Sequence, residues 1–346
     1  MTGNIGEWSE LYTMFKLLAD GKLYAADENT NRIPDIYYDV LKIIRGANAD
    51  KLEYLRDNDI KVVNATTGET VCTVPVQRFL EQTDFLLNKL HEKKKEKTKG
   101  AFEIKESCDF AESIQCSTLK AKSSDKSDIV LMVHDIISGR DDTFGFSIKS
   151  QLGSPSTLLN ASRSTNFTFK LVGNKVSDSE IEKFHEFKKF SDKFDYLKTL
   201  ETDIEYIETD NKTLEFNLKM VTSEMPVIFA ELMKNYYQGK ANMLSELIEI
   251  ISDTSVVDTL DNKTYLEHNI KDMLTNIALG MVPNTLWTGN YEVTGGYIIV
   301  KDDGDVVCYH IYNRNAFRNY MLKNTRFDTP SKSKHGFGSI YEVDGE

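Results

Sequence analysis

Apolar residues return at helical spacing near the start of the chain. Leu11, Phe15 and Leu18 share one face and Gly21 stands where a helix would end, so the pattern predicts an amphipathic helix from Gly6 to Asp20. The apolar run from Ile36 to Ile44 predicts a second helix. Residues 52–76 are mixed, with short β-like runs such as Ile60 to Val63 and Val71 to Val74. Arg78 to Leu90 returns to helical spacing through Leu80, Phe85, Leu86 and Leu90. From about residue 101 the pattern turns to β. Asp128–Asp135 and Phe144–Ser150 read as strands, and the turn chemistry of Ser138-Gly139-Arg140-Asp141-Asp142 joins them into a hairpin. Phe167–Val172 is a third strand, and 178–200 and 224–282 read as mostly helical. Tyr291–Val300 and Asp305–Tyr312, around Asp302-Asp303-Gly304, predict a C-terminal hairpin.

No internal repeat or clear linker divides the chain, so one composite domain with an α/β centre is expected. Its parts are an N-terminal helical region (1–100), a sheet core with a polar loop (101–222), and a helical and β-hairpin region (223–346). With 346 residues, 40% of them hydrophobic, a sizeable core is possible. No run of 18 apolar residues predicts a membrane span, and the opening Met1-Thr2-Gly3-Asn4 does not read as a signal peptide. Cys72, Cys108, Cys116 and Cys308 form no CxxC pair, which predicts reduced thiols, a cytoplasmic protein and no zinc site.

Charge narrows the picture. A net charge of −12 argues against unspecific coating of nucleic acid, though an enzyme can gather its cations into one cleft. The run from His91 to Gly100 reads as a solvated helix end or linker, with a DNA-backbone contact as the functional alternative.

The candidate chemistry lies in the predicted hairpin. Residues at i and i+2 of a strand share a face, so Ser147, Lys149 and Gln151 point one way, while Phe146 and Ile148 point the other. Antiparallel pairing can bring Asp128 beside Lys149. A carboxylate holding Mg²⁺ stabilises charge on a phosphate and activates a bound water, and a lysine can orient or deprotonate that water or neutralise the phosphate. Spacing alone equally allows Asp128 to cap a strand and Lys149 to extend outward. On the first helix, Glu7 and Glu10 are one turn apart. Glu10 borders the apolar stripe, as a first-turn acid favoured by the helix dipole or as a site residue.

Gly153 to Phe167 follows directly, dense in hydroxyls and amides with one arginine. Ser154, Ser156, Thr157, Asn160, Ser162, Arg163 and Asn166 are the candidates for DNA contacts. Hydroxyls and amides suit phosphate oxygens, and Arg and Asn can read base edges in pairs of hydrogen bonds. An ordinary polar loop has the same composition. The run is no P-loop, since Gly-Lys-Ser/Thr is missing, and no Gly-x-Ser-x-Gly elbow occurs.

Gly6-Glu7-Trp8-Ser9-Glu10-Leu11-Tyr12, the run Gly145 to Ser154, Thr157 to Ser162, and Asn324-Thr325-Arg326-Phe327-Asp328-Thr329-Pro330-Ser331 resemble the HpaII family of type II restriction endonucleases. The similarity spans nearly the whole chain, and its specific part is the central run. It implies a PD-(D/E)XK core, a mixed central sheet flanked by helices. It also implies Mg²⁺-dependent cleavage of double-stranded DNA at the palindrome CCGG, by a homodimer whose cognate DNA methyltransferase is not expected to touch it. Carried over, Asp128 is the metal-binding acid and Lys149 the catalytic lysine. Ser147 stands where the second acid of the motif usually sits, and serine is a poor metal ligand. Glu10 or Glu7 is therefore expected to complete the metal site, with Gln151 helping to hold the water. The family pattern continues into a final strand, so the ending at Gly345-Glu346 suggests a shortened C-terminus. A structure-selective nuclease and a catalytically decayed DNA-binding protein are the rival readings of the same residues.

Overall fold

The computed structural model describes residues 1–46, 51–98, 100–120, 127–153, 156–310, 312–330 and 337–342. The chain divides into two compact units. The first holds residues 1–155, 278–280 and 291–320, and the second holds 156–277, 281–290 and 321–346. The division at 155/156 falls inside the stretch from 101 to 222 that the sequence pattern groups together.

In the first unit, helix α1 (Ile5–Asp20) forms where periodicity predicts it. Asn4 Oδ1 accepts from the Glu7 N–H at 3.0 Å and the Asn4 N–H donates to Glu7 at 2.9 Å, a reciprocal cap that satisfies end groups the helix leaves open. Gly21, left-handed at φ 70°, ends it. Helix α2 (Val76–Lys95) follows prediction as well. Helix α3 (Lys105–Ser113) does not, because the pattern there reads as β. Its buried Cys108, Phe110 and Ala111 sit against α1 and α2, where Phe15, Phe79 and Phe110 meet edge-on with centroids 5.1 to 6.0 Å apart.

The expected helix at Ile36–Ile44 is instead part of a long strand, β3 (Arg32–Arg45). Its β-branched and aromatic residues suit a pleated sheet, and neighbours pair along both its edges. A register shift between Val40 and Lys42 explains the misleading pattern. Tyr38 and Val40 are buried two apart, but the irregularity makes Ile43 the next buried position. A spacing of three inside a strand imitates a helix.

Two short strands, β1 (Thr2–Gly3) and β7 (Phe102–Glu103), pair antiparallel by themselves, and among the described residues β3 belongs to a nine-stranded mixed sheet. The other strands are β2 (Lys22–Ala26), β4 (Leu52–Arg56), β5 (Asp59–Asn64), β6 (Thr70–Pro75), β8 (Ile129–Asp135), β9 (Arg140–Ser150), β13 (Gly296–Val300) and β14 (Val306–His310). Their order is β2-β14-β13-β9-β8-β3-β4-β5-β6, and β2 also pairs with β3. The pairings from β2 through β14, β13, β9 and β8 to β3 thus form a closed ring. β8 and β9 are the predicted hairpin, and β13 and β14 are the predicted C-terminal one, shorter than expected at each strand. Every residue of β13 and β14 is buried. Helix α10 (Arg314–Asn324) follows them without a sequence expectation.

In the second unit, β11 (Phe167–Gly173) pairs antiparallel with β12 (Thr202–Thr209), and β10 (Ser156–Leu158) pairs in parallel with β15 (Thr325–Phe327). The predicted helical stretches hold α4 (Asp178–Glu186), α5 (Phe190–Thr199), α7 (Met225–Tyr237), α8 (Leu244–Ser252) and α9 (Asn262–Leu279, its last two residues counted with the first unit), while α6 (Lys212–Lys219) forms between them. Phe167, Phe229 and Phe327 pack together at its centre. Among the described residues no helix is long and apolar enough to cross a membrane.

Candidate active site

The β8–β9 hairpin sets the site's register. Ile129 pairs with Phe146, and the Asp128 N–H donates to the Phe146 carbonyl at 2.8 Å. This pairing carries Asp128 to the level of Ser147. Gly145 lets the chain come that close, since a Cβ there would stand 2.1 Å from Ser127 Oγ.

Asp128 Oδ2 accepts from the Ser147 hydroxyl at 2.9 Å and from the Ile148 N–H at 2.7 Å. Ser147 therefore acts here as a donor that fixes the carboxylate. Lys149 lies on the same face as Ser147, while Phe146 and Ile148 point into the apolar core shared with α1. On the next strand Tyr297 stands in register with Ser147, and Ile299 with Lys149. The Lys149 ammonium sits 5.2 Å from the centre of the Tyr297 ring. Burial pushes the Tyr297 phenol well above its usual range, and the charges of Tyr320 and Asp128 add to this. Asp128, Ser147, Lys149 and Tyr297 thus share one face of three adjacent strands.

Gln151 lies just past β9. Its N–H donates to the Val300 carbonyl at 2.8 Å and its own carbonyl accepts from Lys94 at 3.2 Å. Lys94 also pairs with Asp302, and Lys93 pairs with Glu96, so these lysines of the charged run sit at a solvated helix end.

The acids of α1 are placed differently. Ser9 donates to Ser150 Oγ at 2.8 Å, which sets the helix on the Ile148–Ser150 side of β9, opposite Lys149. Glu7 closes the α1 cap and pairs with Lys120. Lys120 first, then the Asn4 N–H, holds its carboxyl below the usual range. Glu10 is half-buried and feels the charge of Lys120. Among the described residues no group of three His, Cys, Asp or Glu side chains gathers, so Asp128, Glu10 and Glu7 do not form one. A magnesium ion does not require such a cage. It takes oxygen donors, often one or two carboxylates with water and substrate phosphate making up the rest. Asp128 fits that minimal requirement, since among the described residues both hydrogen bonds to its carboxylate fall on Oδ2.

The candidate DNA contacts of the polar run lie in the second unit, except Ser154, which lies outside the described residues. Ser156 contributes backbone to β10. Several of the remaining candidates are occupied within the loop. The Ser162 N–H donates to Thr165 Oγ1 at 2.9 Å, and Thr165 Oγ1 donates to the Asn160 carbonyl at 2.9 Å. The Asn166 amide donates to Asp210, which also accepts from Thr168 at 2.6 Å. Asp328 Oδ2 accepts from the Ala161 N–H at 3.0 Å. Thr157, Asn160 and Arg163 are exposed, and Thr157 stands in register with Arg326 on β15. Sequence reasoning missed Tyr297, Asp210, Asp328 and Arg326. Only Asp328 and Arg326 carried a signal, as part of the C-terminal family run.

Comparison with known proteins sets the class. The family description "HpaII restriction endonuclease" matches residues 4–346, and the chain belongs to that family. It is thus a type II restriction enzyme, a site-specific deoxyribonuclease. The Type II restriction enzyme HpaII of Haemophilus parainfluenzae is similar at 40% identity over 344 residues, covering 99% of this chain and 94% of that protein. No solved structure matches the chain.

Proposed function

We propose that this enzyme cleaves double-stranded DNA at CCGG by Mg²⁺-dependent phosphodiester hydrolysis, and that the β8–β9 hairpin is the centre of a PD-(D/E)XK core. The observation that carries the chemistry is the convergence of Asp128, Ser147 and Lys149 on one face. The CCGG assignment rests on the likeness to HpaII. Asp128 would hold Mg²⁺, which when bound lowers the pKa of a water and stabilises charge on the phosphate. Ser147 and the Ile148 N–H fix the carboxylate so that it need not reorganise during reaction. Lys149 orients the attacking water and offsets charge on the phosphate. The water oxygen forms a bond to phosphorus as a phosphorus–oxygen bond of the backbone breaks. No acid of α1 is assigned to the metal, because that helix lies on the side of β9 opposite Lys149 and Glu7 is tied to the cap and Lys120; water and substrate phosphate would complete the shell. Gln151 is assigned to the water. Thr157, Asn160 and Arg163, exposed on the loop, contact DNA, with the Ser154, Ser156, Ser162 and Asn166 region as its frame.

A palindrome is matched by a two-fold symmetric reader, so the working form is a homodimer. It acts in the cytoplasm beside a methyltransferase that protects host sites without touching it. The test is digestion of unmethylated plasmid with the purified protein and Mg²⁺, with sequenced ends and a metal-free control. Fragments ending within CCGG only when metal is present are expected. Discrete ends at another sequence would overturn the specificity, and cutting of branched DNA alone would favour a structure-selective nuclease.

A further inference from the structure

We propose that Tyr297 is a positioning residue for Lys149, its ring face holding the ammonium beside the Asp128–Ser147 pair. This rests on the reading of Lys149 as catalytic.

Three observations support it. First, the ammonium lies 5.2 Å from the ring centre, inside the distance at which a cation is drawn to an aromatic face. Second, the ring is itself fixed. Tyr297 is only 6% exposed and Phe317 packs edge-on against it at 5.1 Å. Third, the register leaves little freedom. Tyr297 is paired with Ser147, whose hydroxyl bonds Asp128, so platform and carboxylate are tied to neighbouring backbone positions.

Lysine needs such a platform. Its ammonium sits on a flexible four-carbon stem, and the cost of confining it falls on the reaction unless the fold has already met it. Elsewhere in this unit ion pairs hold lysines in place, as Glu53 holds Lys42 at 2.8 Å. Among the described residues no carboxylate lies within the 4.0 Å of an ion pair from Lys149. An acid at that distance would compete with the phosphate for the ammonium. An aromatic face confines the charge while leaving its N–H donors for substrate. Tyr297 is also the one residue of the aliphatic strand Gly296-Tyr297-Ile298-Ile299-Val300 with a polar tip, and that tip is within reach of the Asp128 charge.

The test compares Tyr297→Phe, Tyr297→Met and Lys149→Ala. Single-turnover cleavage of unmethylated plasmid is measured with Mg²⁺, binding of a CCGG duplex without metal, and thermal unfolding. Met fills much of the volume without a π face. Tyr297→Met is expected to slow cleavage by about 2- to 30-fold, the range of one cation–π contact, with duplex binding unchanged. Tyr297→Phe keeps the ring and is expected to recover most of that loss. Equal loss in the Phe and Met variants, or loss that follows the drop in unfolding temperature, would overturn the proposal in favour of a packing role. So would a Met variant that cuts at the parent rate while Lys149→Ala is inactive. A fully active Lys149→Ala protein would instead bring down the underlying assignment and this inference with it.

Discussion

The β8–β9 hairpin and the polar loop after it were both legible as candidate chemistry, yet they spend their polar groups in opposite ways. At the Asp128 end of the hairpin a few polar groups converge. Ser147 and the Ile148 N–H turn inward onto Asp128, while Lys149 rests on a ring and faces no carboxylate partner among the described residues. In the loop polar groups are abundant, and many are used up locally. Thr165 ties the Ser162 turn, Asp210 takes the Asn166 amide, and Asp328 takes the Ala161 N–H. Richness in hydroxyls and amides is therefore a poor guide to contact with a ligand. A loop must satisfy its own backbone first, and only the remainder can face outward.

The largest effect that would break this contrast belongs to Lys149. Lys149→Ala should lower cleavage by about 10²- to 10⁴-fold while DNA binding persists. A parent-like rate in a plasmid assay would remove the hairpin from the mechanism.

A second effect separates the hairpin's unit by pH. His310 is buried among Tyr38, Phe144 and Phe146, and burial lowers its pKa to about 4. The unfolded chain takes up that proton near the ordinary value of 6.5, and the folded one does not until about 4. Stability should therefore be full above 6.5 and fall as pH drops from there to about 4, by on the order of 3 kcal/mol. Melting curves across that range should flatten in His310→Leu. An unchanged slope would mean that the imidazole is not the group responsible.

On the loop the contrast can be sharpened by pairing an exposed residue with an occupied one. Arg163→Ala should relax discrimination between the proposed CCGG site and near-cognate sites by about 1–3 kcal/mol, read as the ratio of cleavage rates. Asn166→Ala should act on unfolding instead, by about 0.5–1.5 kcal/mol, with little change in that ratio. The reverse result would mean that the occupied residue reads DNA and the exposed one does not. Smallest is the cap of α1, where Asn4→Ala should cost about 1 kcal/mol of stability and leave specificity alone.

What could be read in advance follows the range of the forces involved. α1 and the hairpin depend on local periodicity and turn residues, so both were visible. The alternation of Phe146 and Ile148 with Ser147 and Lys149 marks the two faces of β9. β3 was not visible, because one irregularity gave Val40 and Ile43 a helical spacing. Tyr297 and Asp210 were hidden for another reason. Each reaches its partner through pairings between distant parts of the chain, which no local pattern encodes. The acids of α1 show the limit of spacing arguments: Glu7 and Glu10 lie on an expected helix, but packing sets that helix on the Ser150 side of β9.

The ring of strands has a bearing on how the enzyme is made. Gly296 pairs with Phe146 and Val307 with Tyr24, so the ring closes only after most of the chain has left the ribosome. Until then β9 lacks its parallel neighbour, and Lys149 lacks Tyr297. Domains form as their residues emerge, from the N-terminus onward. A nascent or prematurely ended chain would thus carry Asp128 and Lys149, the residues proposed for catalysis, without their neighbouring strand. For a cell whose own chromosome is a potential target, delayed assembly is a form of safety: the cutter is armed last.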